Sequence, residues 1–455
     1  MCGRYGEPFL SLSSAAELNL RHSSWPILLP LGNVADSLTN QSGEISDSTL
    51  REHNMTEAVI VSTARTPIGR AGKGSLKDMR PDDLSARIIE AVLAKVPSLD
   101  PTEIEDVLWG CGQPAVESGH NIGRVSAVLA GLSNVPGVTV NRYCSSSLMT
   151  IRMAAHAIKS GDGDVFIAGG VETISRHQLH MQLADGPKNP IFAEAEARSA
   201  KRAEGGAPVW SEQPGLPDVY LAMGQTAENV AQLENVSRAD QDEFACRSQT
   251  LAEQSQVSGF WEAEITPVTT PDGVASTDDG IRAGTVLEKL ASLSPVFRPD
   301  GTVTAGNACP LNDGAAAVVV MSDTKAKALG LTPLARIISS SATGLNPEIM
   351  GMGPEAAILK ALARAGMTVQ DIDLFEINEA FAAQVLPSAR NLGIPMEKLN
   401  TRGGSIALGH PFGMTGARIM TTLIHNLQES DKTFGVESMC VGGGQGMAMV
   451  IERLS

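Results

Sequence analysis

The residues with the most chemical promise are two cysteines, a histidine and an asparagine, each placed where one predicted element gives way to another. Cys144 lies in Val140–Leu148 (VNRYCSSSL), where a strand ends and a helix running to Ile158 begins. A thiol there feels the helix dipole and faces backbone N–H groups, both of which favour thiolate and hence nucleophilic attack. The plainer reading is a small buried hydrophobe, as most free cysteines are. His410 lies in Gly403–Gly416 (GGSIALGHPFGMTG), five glycines in fourteen residues. Between Gly409 and Pro411 it sits on no helix face, and the glycines allow a ligand close to the backbone. A base that activates a thiol fits this placement; a solvated loop histidine is the alternative. Cys440 is a second thiol at a strand end, followed by Val441-Gly442-Gly443-Gly444, whose N–H groups could serve an oxyanion. Asn378 opens Asn378-Glu379-Ala380-Phe381-Ala382 after another strand, and its simplest role is a helix N-cap.

These residues need a scaffold, and the hydrophobic pattern supplies one. Ala58–Ser62 reads as a first buried strand, Pro81–Val96 as a helix with Leu84, Ile88, Val92 and Leu93 at helical spacing, and Ile104–Trp109 as a strand ending in Gly110-Cys111-Gly112. Val138–Asn141 and Val165–Ala168 follow as strands, the second ending in Gly169-Gly170. The pattern then recurs: helix Pro354–Ala365, strand Ile372–Ile377 ending at Asn378, a Gly-rich turn feeding a helix to about Leu427, and strand Gly435–Cys440 before Gly442–Gly444. Val92–Gly110 and Leu362–Glu376 resemble each other in wording, so an internal duplication of two α/β units is inferred. Between them, about Ser175–Pro299, lies a polar stretch with helical segments Met223–Leu233 and Arg238–Val257, read as an inserted lid region.

Length and composition bound the function. The chain has 455 residues, ample for a large core, and 35 Lys+Arg against 51 Asp+Glu give a formal net charge of −16. That argues against a nucleic-acid partner. The longest apolar run, Gly314–Met321, is too short to span a bilayer. The six cysteines are sparse and form no C-x-x-C pair, so neither a structural zinc site nor a disulfide scaffold is expected. Residues 1–54 hold no Lys, three Arg, six acidic residues and nine Ser, which fits neither a secretory signal nor a mitochondrial presequence and reads as a disordered extension.

Taken together, the motifs resemble the thiolase family. The nucleophile box at Val140–Leu148, the Asn-Glu-Ala-Phe box at Asn378, the Gly-His-Pro box at Gly409–Pro411 and the Cys-x-Gly-Gly-Gly box at Cys440 occur in the family's order. Thr66-Pro67-Ile68-Gly69, Met223-Gly224 and Thr304–Ala316 (TAGNACPLNDGAA) also look thiolase-like, so the resemblance runs from about Ala58 to Glu452. It implies a five-layer αβαβα core of two duplicated halves: 55–174 with about 300–328, and 329–455, with 175–299 as an inserted loop domain. It implies acyl transfer between an active-site cysteine and coenzyme A, through reversible cleavage of a 3-ketoacyl thioester or condensation of two acetyl-CoA. By the same carry-over, Cys144 is the acylated nucleophile and His410 takes its proton and helps hold a thioester oxygen. Asn378 positions a water in that oxyanion hole, and Cys440 is the acid/base at the acetyl α-carbon. The N–H groups of Cys144 and Gly442 form the second hole. Met223, Ala305, Cys309, Met350, Ala380 and Phe381 fall at positions expected to hold the substrate. The resemblance further implies no tightly bound cofactor, no metal, no membrane or nucleic-acid partner, a homodimer or homotetramer, a cytoplasmic location, and a place in fatty-acid β-oxidation.

The sequence departs from the family at Ser147, where Gly is usual, at Met149, where Gln is common, at Cys309-Pro310, where Ser-Gly is frequent, and at Ala222, where short-chain members often carry His. Ser147 follows the nucleophile by three residues and so shares its helix face. The expectation is that its hydroxyl meets a neighbouring helix or the backbone and leaves the pocket alone. Three competing readings stand beside the thiolase: a decarboxylating condensing enzyme of the ketoacyl-synthase type, which would use His or Asn where Cys440 stands; an inactive thiolase-like acyl-CoA-binding protein; and a cysteine hydrolase, which would leave the repeated boxes unexplained.

Overall fold

The computed structural model describes residues 56–179 and 187–455; the extension at 1–54, read as disordered, lies outside the described residues. The first half contributes β1 (Ala58–Arg65), α1 (Pro81–Ala94), β2 (Asp106–Gly110), α2 (Ile122–Leu129), β3 (Gly137–Val140), α3 (Ser146–Ser160) and β4 (Val165–Thr173). Among the helices between residues 175 and 299 are α4 (Met223–Leu233) and α5 (Arg238–Val257); β5 (Asn312–Ser322) then pairs with β1 and β4. The second half runs β6 (Ala335–Gly344), α6 (Gly353–Ala365), β7 (Leu374–Ile377), α7 (Ala382–Leu392), α8 (Thr415–Glu429), β8 (Phe434–Val441) and β9 (Gln445–Arg453).

The strands form one hydrogen-bonded path, β7-β8-β9-β6-β1-β5-β4-β2-β3. Parallel pairs (β2 with β3 and β4, β7 with β8) lie outermost, and the long antiparallel strands lie inside. The halves meet where β1 pairs β6 through Val59↔Arg336 and Ile60↔Ala335. Strand alternation then sorts side chains into three apolar layers. Val59, Val61, Val107 and Trp109 pack on α1 through Leu84, Ile88 and Val92. Ala58, Ile60, Phe166 and Val318 face α3 and α8 on the other side, through Ile151, Ala417 and Leu423. Met447, Met449 and Ile451 close the same layer from the second half, while Ala448, Val450 and Phe375 turn outward to Ile358, Leu362 and Val385. Helix, sheet, helix, sheet, helix is therefore the order, with α3 and α8 in the middle.

Several boundaries differ from the sequence reading, each for a local reason. β4 does not end at Gly169-Gly170: it stays paired with β5 from Val165↔Met321 to Thr173↔Asp313. The nucleophile helix starts at Ser146, because Tyr143–Ser145 forms a separate 3₁₀ turn. Ile104 lies outside β2, since Asp100 caps a 3₁₀ turn over Pro101–Glu103. α4 and α5 fall on the predicted residues, and α5 opens with a capping box between Ser237 and Asp240. The 175–299 stretch is tied to the rest of the core by Arg65 Nε to Glu264 Oε2 (2.7 Å) and Nη1 to Asp278 Oδ1 (2.8 Å), and by Ser248 Oγ to Glu379 Oε2 (2.6 Å). No helix among the described residues is long and apolar enough to cross a membrane.

Candidate active site

Cys144 sits on a strained turn. Tyr143 takes φ +44°, a left-handed conformation that a bulky residue adopts only when its surroundings impose it. Asn141 and Ser146 supply the bonds. Tyr143 N–H donates to Asn141 Oδ1 (2.8 Å), Arg142 N–H to Ser146 Oγ (3.0 Å), and the Ser146 hydroxyl to Tyr143 O (2.7 Å). The sulfur is nearly buried, with Cys144 8% exposed. Burial pushes the thiol up to about 11, and the backbone N–H groups of Gly442 and of Cys144 itself pull the other way. The helix dipole therefore does not deliver a resting thiolate: desolvation outweighs it, and the thiol needs a base at the moment of attack.

His410 is the candidate base, and Phe412, which rests against its ring, lines the Cys144 pocket. Gly409 before it has φ +118°, and a Cβ there would lie 2.5 Å from the Asn312 side chain, whose Oδ1 accepts the His410 N–H (3.0 Å). Burial and the Arg418 charge push the imidazole down to about 3, so it is neutral at pH 7. Its tautomer follows from the bonds around it. Thr415 Oγ1 donates to Pro411 O (2.8 Å) and so accepts from His410 Nδ1–H (2.6 Å), leaving Nε2 with a free pair. Asn378 Nδ2 points at that nitrogen from 3.3 Å. The amide is held in this sense because Arg418 Nη2 donates to Ser405 Oγ (2.8 Å), and Ser405 donates to Asn378 Oδ1 (2.6 Å). Asn378 is thus no helix cap; α7 starts four residues later, after Phe381.

Cys440 lies in β8, fully buried, paired with Gly446 across β9. Burial first, and then Cys144 and Cys309, hold its thiol well above the ordinary range. It belongs to a small apolar cluster with Met350, Ala380 and Phe381, against which Met223, Phe297 and Cys309 pack. Five of the six residues expected at the substrate therefore gather beside the second thiol. Ala305 does not: it is exposed on the turn after Thr304. A pocket of about 280 Å³ opens at Cys144, walled by Tyr143, Tyr220, Leu221, Met223 and Phe412, with Gly442 and Gly443 presenting backbone. A larger groove of about 620 Å³ between α5 and α7 includes none of the four catalytic candidates. Chemistry rather than size marks the site.

Ser147 resolves as expected. Its Oγ accepts the Ala417 N–H at 3.0 Å, capping the start of α8 from α3. The two helices cross closely there, since a Cβ on Gly416 would meet Leu148 N at 2.3 Å. Sequence reading missed Ser405, Thr415 and Arg418. The one available signal was Arg418 itself, a cation inside the apolar face of α8 that required a buried partner.

With this geometry in hand, two family models account for the chain: "Thiolase, N-terminal domain" over residues 58–324 and "Thiolase, C-terminal domain" over 331–453. The chain belongs to the thiolase family and is an acyltransferase. It is 46% identical over 410 residues to a 3-ketoacyl-CoA thiolase of Aeromonas hydrophila, covering 88% of this chain and all of that one. It is 45% identical over the same span to the 3-ketoacyl-CoA thiolase of Serratia proteamaculans. Among solved structures, the acetyl-CoA acetyltransferase of Bacillus anthracis matches with a TM-score of 0.75 and 39% identity, over 88% of this chain and 99% of that one.

Proposed function

We propose that this thiolase cleaves 3-ketoacyl-CoA thioesters, with Cys144 as the acyl carrier. The observation that carries the reading is a pocket at Cys144 whose Phe412 rests against the His410 ring and whose Met223 packs on the cluster that holds Cys440. His410 Nε2 takes the Cys144 proton as the sulfur attacks the 3-keto carbon. The C2–C3 bond then breaks, its electron pair leaves as the acetyl-CoA enolate, and Cys440 gives that carbon a proton. Acetyl-CoA departs and the shortened acyl group remains on Cys144. Cys440, left as thiolate, takes the coenzyme A thiol proton as that sulfur attacks the thioester; the shortened acyl-CoA forms, and Cys144 leaves and regains its proton from His410. Run backwards, the same steps condense two acyl-CoA molecules. The N–H groups of Gly442 and Cys144 both reach the Cys144 thiol and, once it is acylated, would hold the thioester oxygen, a preorganised pair of the kind worth roughly 3–4 kcal/mol per donor. His410, once protonated, and Asn378 would hold the other oxyanion.

Coenzyme A is a substrate in this scheme, and no tightly bound cofactor is needed. Met223, Cys309, Met350, Ala380 and Phe381 are proposed to line the acyl and pantetheine path. A role in fatty-acid β-oxidation, a cytoplasmic location, a homodimer or homotetramer, and the division into 55–174 with about 300–328, 175–299 and 329–455 belong to the same proposal. The test is direct. Incubation with acetyl-CoA, digestion and mass analysis should find acetyl on Cys144; acetyl on Cys440 with Cys144 free would overturn the assignment.

A further inference from the structure

One buried carboxylate beside the site has no part in that scheme. Glu172 is the penultimate residue of β4, only 2% exposed, and among the described residues its hydrogen-bonding partners include no cation. Oε2 accepts the Gly112 N–H (2.8 Å) and the Gly413 N–H (2.9 Å). Oε1 accepts the Gln113 N–H (3.2 Å), with Cys111 Sγ at 3.8 Å. A carboxylate sunk this deep is costly, and three main-chain donors are what make it tolerable. Its electrostatics do not serve the nucleophile, since a negative charge near Cys144 raises the thiol. Geometry is the better account. The Gly112-Gln113 donors belong to the loop leaving β2, and Gln113 lines the Cys144 pocket. The Gly413 donor lies in the turn between His410 and Thr415, whose Phe412 lines the same pocket and rests edge-on against the imidazole, centroids 5.1 Å apart.

We propose that Glu172 is a positioning residue for the thiolase reaction: its carboxylate clamps the Cys111–Gln113 loop of one half to the Phe412–Gly413 turn of the other. The clamp fixes the width of the pocket at Cys144 and the seat of the His410 ring. This rests on the thiolase reading for its kinetic consequences, but the clamp itself has a readout that does not.

The test uses the full chain and the variants Glu172→Gln and Glu172→Asp. Gln keeps the reach but offers an amide to one set of donors; Asp keeps the charge but falls one methylene short. Both are expected to lower kcat for 3-ketoacyl-CoA thiolysis by about tenfold or more, the cost of slightly misplaced reacting groups, and to raise KM for the thioester. Both should also speed alkylation of Cys144 by iodoacetamide several-fold, because a wall has come loose. Faster alkylation in Gln alone, with Asp like the parent, would mean that charge acts and position does not, and would overturn the proposal. So would unchanged kcat, KM and alkylation in both. If neither variant folds, amide hydrogen exchange of the parent protein decides: Gly112, Gln113 and Gly413 N–H groups protected together are expected, and exchange of these three at the rate of free loop amides overturns the proposal. A parent protein that cleaves no 3-ketoacyl-CoA defeats the thiolase reading alone; the alkylation rates then decide the clamp.

Discussion

The two halves of the core place different chemistry at corresponding points. In the first half, β2 and β4 run parallel and α3 packs on the sheet; in the second, β7, β8 and α8 do the same. The turn leading into α3 carries the proposed nucleophile, Cys144, and the loop leading into α8 carries the proposed base, His410. Cys111 follows β2, whereas Asn378 follows β7 and aims its amide at the imidazole. Near the end of β4 stands Glu172, a carboxylate satisfied by three N–H groups; near the end of β8 stands Cys440, a thiol facing apolar side chains. A duplicated scaffold thus carries the different groups of the proposed site because its halves differ at the strand ends. α3 and α8 share the central layer, which brings the two sets of groups together.

The comparison can be broken at its most divergent point. Cys440→Ser should leave acyl exchange between Cys144 and coenzyme A intact while cutting cleavage and condensation by about a thousandfold, within the range for loss of a general acid. Exchange makes no α-carbanion; carbon–carbon chemistry does. Equal loss of both reactions would show that the two thiols do not divide the work.

The thiol–imidazole pair should titrate as neutral partners. Cys144 at about 11 and His410 at about 3 predict slow alkylation of Cys144 at pH 7, rising about tenfold per pH unit toward 10 as thiolate forms. A plateau near pH 7 would reveal an ion pair instead. The same depressed imidazole makes a stability prediction. The unfolded chain binds a proton near the ordinary histidine value of 6.5 that the folded one refuses. This contribution is therefore present above pH 6.5 and is lost as pH falls toward 3. His410→Gln should flatten that part of the stability profile.

A smaller effect comes from the relay behind the base. Ser405→Ala removes the hydroxyl between Arg418 and Asn378, freeing the amide to turn. A several-fold fall in kcat with KM little changed is expected, beside a stability loss of about 1–3 kcal/mol from an unmade buried bond. Retained kcat would mean that Asn378 is oriented by other contacts. The smallest effect belongs to Ser147→Gly. It deletes the Oγ that accepts the Ala417 N–H and puts a glycine in α3, at about 1 kcal/mol each. Tm should fall while preference among 3-ketoacyl chain lengths stays put; a shifted preference at unchanged fold would place the hydroxyl in the pocket.

The sequence by itself determined the local and periodic features. The four boxes and their order, the α/β alternation and the duplication were legible because each rests on residues within one element or its turn. α4 and α5 could be placed to the residue because their boundaries are written locally, as the Ser237–Asp240 capping box illustrates. What only the tertiary structure decided lies in contacts between distant parts of the chain. Ser147 meets Ala417 across 270 positions, and Glu172 meets Gly413 across 241. Neither residue carries a local sign of its partner. The protonation of Cys144 was misread for the same reason. A helix dipole can be inferred from a strand-to-helix turn, but desolvation is set by every wall that closes on the sulfur, and those walls come from both halves and the insertion.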